Sequence, residues 1–222
     1  MNAVALIQIL LISVLPVIMA ITIHEAAHGY AARHFGDPTA WQAGRISLNP
    51  LRHVDPVGTL LVPGVILLTS YLAGGRPMLF GWAKPVPVNF GRLRRPKADM
   101  LWVAAAGPAA NLVMALAWTA LLKVTGLTPA DADFQLFAAM CDAGLGVNLV
   151  LMVLNLLPLP PLDGGRIMVS LLPMPLAVKF AKIERFGFPI LILLLLTHGL
   201  DRIIGPAVKF FETLIHHIYL FS

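Results

Sequence analysis

Three side chains in residues 21–30, ITIHEAAHGY, have the types and the spacing to do chemistry. His24 and His28 stand four residues apart, so on a helix their imidazoles share one face. Two imidazoles at that spacing bind one zinc ion, and Glu25 beside them is in position to act as a general base on water. The setting sharpens the reading. Residues 1–23 contain no Lys, Arg, Asp or Glu. Ionisable side chains within a membrane span cost about 2.5–3.5 kcal/mol each on insertion scales, so they mark function by default. Three of them within five residues need a common partner, which a cation supplies. Core histidines satisfied by ordinary hydrogen bonds are the alternative.

A catalytic zinc keeps three protein ligands and one open position. Acidic candidates for the third are Asp55, Asp99, Asp142 and Asp163. Asp163 lies in NLLPLPPLDGGR, residues 155–166, whose prolines break a helix at the membrane boundary. Backbone freed at that depth is tolerated only against protein or water. Gly164 and Gly165 then permit a tight approach, and a carboxylate on such a break can reach a metal on a neighbouring helix. An N-cap for a helix starting at 164 is the other role open to Asp163, and Asp142, within a span, competes for the ligand position.

These groups must be positioned by a membrane fold. The chain has 222 residues, 58% of them hydrophobic and 12% charged, with a mean hydropathy of +0.82. A soluble domain carries about 25% charged residues. The net charge of +5 fits basic loops flanking apolar spans rather than a nucleic-acid partner. The single cysteine, Cys141, excludes an intrachain disulfide and reads as a small buried hydrophobe. The length suits one domain, 1–222. The expected architecture is an all-α polytopic membrane protein, a bundle of about four to six transmembrane helices with a small extended or β membrane-associated element.

Core spans are expected at about 4–34, 99–123 and 134–157, with a further span at about 186–200. The first reads as a retained membrane helix rather than a cleaved signal. Residues 44–58 form a turn-rich loop, and 57–80 a hairpin or re-entrant element. Residues 80–97 run extended because their prolines forbid a helix, and 203–221 is interfacial or a further span. Arg33, Arg45, Arg52, Lys84 and the basic cluster 92–97 put the far end of the first span, and with it His24, near the cytoplasmic face, with the N-terminus outside.

Three stretches in this order, HEAAH at 24–28, GPAAN at 107–111 and NLLPLPPLDGG at 155–165, resemble the site-2 proteases, the intramembrane zinc metalloproteases. GRISLNPLRHVDPVGTL and FGWAKPVPVN resemble the compact branch of that family, without PDZ or CBS domains. The resemblance makes His24, His28 and Asp163 the ligands of one zinc ion and Glu25 the catalytic base. It puts Gly107, Pro108 and Asn111 on a core helix against the site, and Asn111 and Asn155 near the substrate. For both asparagines an interhelical hydrogen bond is the structural alternative. The activity it implies is hydrolysis of peptide bonds in or near transmembrane segments of membrane proteins, in the lipid bilayer of the cell membrane. A membrane metal transporter, a catalytically inactive scaffold and a metallohydrolase acting on lipid or prenyl-peptide are the rival readings. His34, His198, His216 and His217 read as ordinary interfacial histidines, and Arg45, His53 and Asp55 match the branch-specific loop without a mechanism.

Overall fold

The computed structural model describes residues 3–72, 83–125 and 134–220. Its helices are α1 (Ala3–His34), α2 (Thr39–Gln42), α3 (Val62–Leu72), α4 (Pro96–Val124), α5 (Phe134–Asn155), α6 (Asp163–Leu171), α7 (Met174–Ala181), α8 (Glu184–Leu196) and α9 (Gly199–Leu220). No strand occurs among the described residues. The expected extended element is present at 83–89 as backbone without β-pairing there, while residues 73–80 of the 57–80 element and residues 81–82 lie outside the described residues.

The centre of the molecule is a three-helix packing of α1, α4 and α5, each in contact with the other two. Helix α4 has 29 residues and α5 has 22, which at about 1.5 Å per residue suffices to cross a bilayer. Among the described residues these two are long and apolar enough to span, and α8 with α9 makes a third candidate if the pair is one span. The start of α4 follows from local chemistry. Pro96 occupies the first turn, where no N–H is needed, and the buried Asp99 carboxylate accepts the Arg95 N–H at 2.7 Å. Asp99, a sequence candidate for the metal, is thus spent on a helix start. Asp55 does the same for the π-helical turn Pro56–Leu61 by accepting from Val57 and Gly58 N–H.

The residues of the span expected at 186–200 fall on α8 and the start of α9. Helix α8 stops at Leu196, His198 takes a left-handed conformation (φ 54°), and α9 leaves at 84°. The thirteen residues of α8 rise only about 20 Å. Helix α9 lays Leu200, Ile204 and Ile215 into the main apolar core with Leu145, Leu149 and Met152 of α5, while Arg202, Lys209 and Glu212 stay exposed.

The α4–α5 contact is close because of one glycine. A Cβ on Gly144 would fall within 2.6 Å of the Trp118 indole, itself buried, whereas a Cβ on Gly146 would meet nothing within 4 Å. Gly144→Ala should therefore lower the melting temperature in detergent. Overpacking costs about 1–3 kcal/mol and outweighs a helix-propensity gain of about 1 kcal/mol. Gly146→Ala, which collects the same propensity gain without the clash, should not lower it.

Candidate metal centre

Helix α1 delivers His24 and His28 to the interior of the bundle. His24 is 7% exposed, and the two Nε2 atoms lie 3.0 Å apart. Helix α5 ends at Asn155, the chain doubles back through three prolines, and α6 begins at Asp163. Asp163 Oδ2 then stands 3.3 Å from both Nε2 atoms. This is the only group of three metal-capable side chains among the described residues. Asp142 is exposed on α5 and outside it.

The doubling back is possible because two glycines lack side chains. A Cβ on Gly164 would collide with the carbonyls of Leu156 and Leu157, and one on Gly165 with the backbone of Pro160. Asp163 opens α6, but no side chain caps that helix, and its Oδ2 is buried with no hydrogen-bond donor. The capping role left open by the sequence is therefore not the one it plays.

Protonation at the histidines is decided by what their other nitrogens touch. His28 Nδ1 lies 2.7 Å from the Val103 carbonyl, which can only accept, so Nδ1 carries the proton and Nε2 is bare. For His24 the same conclusion runs through two amides. The Gly144 carbonyl accepts from Asn148 Nδ2 at 2.8 Å, so Asn148 Oδ1 faces Asn111 and accepts from Asn111 Nδ2 at 2.9 Å. Asn111 Oδ1 then faces His24 Nδ1 at 2.6 Å and accepts its proton. A second Asn111 N–H reaches the Ala20 carbonyl at 3.3 Å. With both rings neutral, the two Nε2 lone pairs and a carboxylate oxygen therefore converge with no proton between them. Three acceptors within 3.3 Å repel one another unless a cation sits among them. Donors bound to zinc at ~2.0–2.2 Å in tetrahedral geometry stand about 3.3–3.5 Å apart; the two carboxylate–imidazole separations of 3.3 Å match that spacing and the imidazole–imidazole separation of 3.0 Å is slightly shorter.

Gly107 belongs to the same cradle. Its Cβ would intrude on His28 Nε2 and come within 2.6 Å of His24 Nε2, filling the place where the three donors point. Asn111 has the interhelical hydrogen bonds, is fully buried, and contacts His24. Asn148, equally buried, is a site residue that the sequence reading passed over. The available signal was an amide inside an otherwise apolar helix, LGVNLV. Asn155 lines a cavity of about 840 Å³ shared with His24, Glu25, His28 and Asp163, and its Nδ2 donates to Leu151 O at 3.0 Å.

Glu25 faces the extended segment. Its Oε2 accepts the Val86 N–H at 2.7 Å. That segment is tied down on both sides of Val86. Lys84 N–H donates to the His53 carbonyl at 2.9 Å, Arg45 Nη2 donates to the Lys84 carbonyl at 2.8 Å, and Asn89 N–H donates to the buried Asp37 carboxylate at 2.6 Å. The loop residues Arg45 and His53 therefore anchor the strap that meets Glu25.

Zinc content of purified variants separates the ligand set from its rivals. Asp163→Ala should bind zinc weakly or not at all and Asp142→Ala should bind it fully. Asn111→Ala should weaken zinc about 10–100-fold, as loss of a partner that orients a ligand does. Full zinc in Asp163→Ala would remove Asp163 from the ligand set.

Comparison with known proteins finds a family and named relatives. Residues 128–197 match Peptidase family M50, a stretch that contains Asp163 and its proline break. The chain is 38% identical over 199 residues to "Putative zinc metalloprotease YwhC" of Bacillus subtilis (strain 168), covering 88% of this chain and 85% of that protein. It is 31% identical over 194 residues to "Putative zinc metalloprotease Rip2" of Mycolicibacterium smegmatis (strain ATCC 700084 / mc(2)155), covering 87% and 70%. No solved structure matches. With that likeness running through nearly the whole chain, the protein belongs to peptidase family M50, the site-2 proteases.

Proposed function

We propose that the chain is a single-domain intramembrane zinc metalloprotease, 1–222, that hydrolyses peptide bonds in or near transmembrane segments of membrane proteins. The convergence of His24 Nε2, His28 Nε2 and Asp163 Oδ2 beside Glu25 carries this reading. The three side chains fit zinc as its ligands. When bound, zinc supplies a Lewis acid for the scissile carbonyl and makes water nucleophilic near neutral pH.

The chain's own residues do the rest. Glu25 takes a proton from the attacking water and returns it to the leaving amine. Asn111 and Val103 hold the two imidazoles in the tautomer that turns Nε2 inward. The strap at 83–89 offers an extended edge. Val86 C=O and Val88 N–H have no partner among the described residues, and an unwound substrate can pair with them by strand addition. Asn155, at the cavity wall, stands near the substrate path. A metal transporter would spread its ligands through the depth of the bilayer, and the described residues concentrate them in one cluster.

In this reading the N-terminus is outside and the site lies near the cytoplasmic face of the cell membrane. The support is the charge-free run 1–23 set against Arg33, Arg45, Arg52, Lys84 and the basic residues of 92–97. With Cys141→Ser as background, a cysteine at position 2 should react with an impermeant thiol reagent added outside the cell. Reaction from the cytoplasmic side alone would invert the topology.

Glu25→Gln keeps the size of the side chain and removes the base. Cleavage of single-span peptides in detergent should fall at least about a hundredfold, with zinc content unchanged. A variant cleaving near the wild-type rate would take the base role from Glu25.

A further inference from the structure

The cavity beside the metal centre contains one cationic side chain that catalysis does not use. Arg166 lines it, half-buried, with its guanidinium 4.9 Å from the centre of the Phe90 ring. Among the described residues no carboxylate lies within ion-pair distance of it, and none of its side-chain N–H groups has a hydrogen-bond acceptor. An arginine presents five donors in a rigid fork suited to a carboxylate. Phe90 holds that fork by cation–π contact, which preorganises it.

The charges around it leave it unmatched. The divalent ion that the three ligands fit would be offset by Asp163 and Glu25, so the positive charge of Arg166 is left over in a cavity walled largely by Ile21, Val103, Leu151, Leu154 and Phe188. Closing that cavity over a peptide strips water from the guanidinium, and a charge in such surroundings needs an opposite charge with good geometry. The position sets where on the substrate that charge falls. Arg166 is three residues from Asp163 on α6, hence on the same face with Cβ atoms about 5–6 Å apart. An extended peptide advances about 3.3 Å per residue, so the fork meets a side chain one or two residues from the bond being cut.

We propose that Arg166 is a specificity residue that pairs with an Asp or Glu side chain of the substrate within two residues of the scissile bond. This rests on the protease reading and adds a substrate class to it.

The test uses the full-length zinc-loaded enzyme in detergent and a panel of single-span peptides. Each carries Asp, Asn or Lys at one position on either side of the cleavage site. At one position the wild type should prefer Asp over Asn about tenfold to a hundredfold in kcat/KM, the range of a charge-assisted hydrogen bond. Arg166→Ala should erase the preference, bringing kcat/KM for the Asp peptide down to that for the Asn peptide. Arg166→Glu should transfer the preference to the Lys peptide, a gain that misfolding cannot produce. Binding to the Glu25→Gln variant, read by fluorescence anisotropy, should show the same dependence on Asp and lose it when Arg166→Ala is added. A wild type that cleaves all peptides alike overturns the proposal and leaves the protease reading intact. So does an equal fall for every peptide in Arg166→Ala with no inversion in Arg166→Glu, which would make Arg166 a residue of the general machinery. A wild type that cleaves no peptide in the panel, with zinc bound, counts against the protease reading itself.

Discussion

Everything at the centre of this molecule depends on a hydrogen-bonded line with only one possible direction. It starts at the backbone carbonyl of Gly144, passes through the side-chain amides of Asn148 and Asn111, and ends at His24 Nδ1. A carbonyl cannot donate, so each amide must turn the same way and the histidine must hold its proton on Nδ1. Burial makes the direction binding, because Asn111 and Asn148 have no exposed surface and a reversed amide would leave unpaired groups in a low-dielectric interior. The line crosses α5, α4 and α1 in turn. The helices must therefore keep one register, and Gly144 and Gly107 are bare where that register brings backbone against Trp118 and against the two imidazoles.

The result is an arrangement that folding alone would disfavour. Two imidazole lone pairs and a carboxylate oxygen are held within 3.3 Å, each acceptor deprived of the proton that would relieve it. Such clustering is tolerable when the surrounding packing overrides it, as at functional sites generally. Cation binding converts the repulsion into ligation, so metal affinity and helix packing are coupled. What weakens the α4–α5 contact should also loosen the metal.

Much of this was legible in the residues. His24 and His28 follow from helical spacing, and Asp163 from a proline break followed by two glycines, because local rules set both. The joint role proposed for them comes from the resemblance to the site-2 proteases. Asn148 was passed over although it was visible as an amide in an apolar run, since nothing local says which neighbour it serves. The anchoring of the strap was not legible at all. It uses the carbonyl of His53, the guanidinium of Arg45 and the carboxylate of Asp37, which are far apart in sequence from 83–89 and meet it only through the tertiary fold. The turn at 197–199 had a signal in Gly199, a residue common just past a helix end. An apolar run continuing on both sides concealed the 84° bend.

The two irregular segments at the site obey one constraint. Non-helical backbone at membrane depth must not leave N–H groups unpaired. Proline serves here less as a helix breaker than as a residue with no donor to satisfy. In the break after α5, the prolines at 158, 160 and 161 remove three such groups. The N–H groups that remain each find a carbonyl, from Leu156 to Met152, Leu157 to Leu154, Leu159 to Leu157 and Leu162 to Leu159. In the strap, Pro85 and Pro87 do the same, leaving Lys84, Val86 and Asn89 bonded to His53, Glu25 and Asp37. Between Lys84 and Asn89, Val88 is the exception, its N–H unpaired among the described residues beside the cavity it lines. At the other positions between Lys84 and Asn89, and through the break after α5, prolines, carbonyls and carboxylates remove the need for an outside partner. At Val88 that need remains, on backbone that lines the cavity beside the metal-capable side chains.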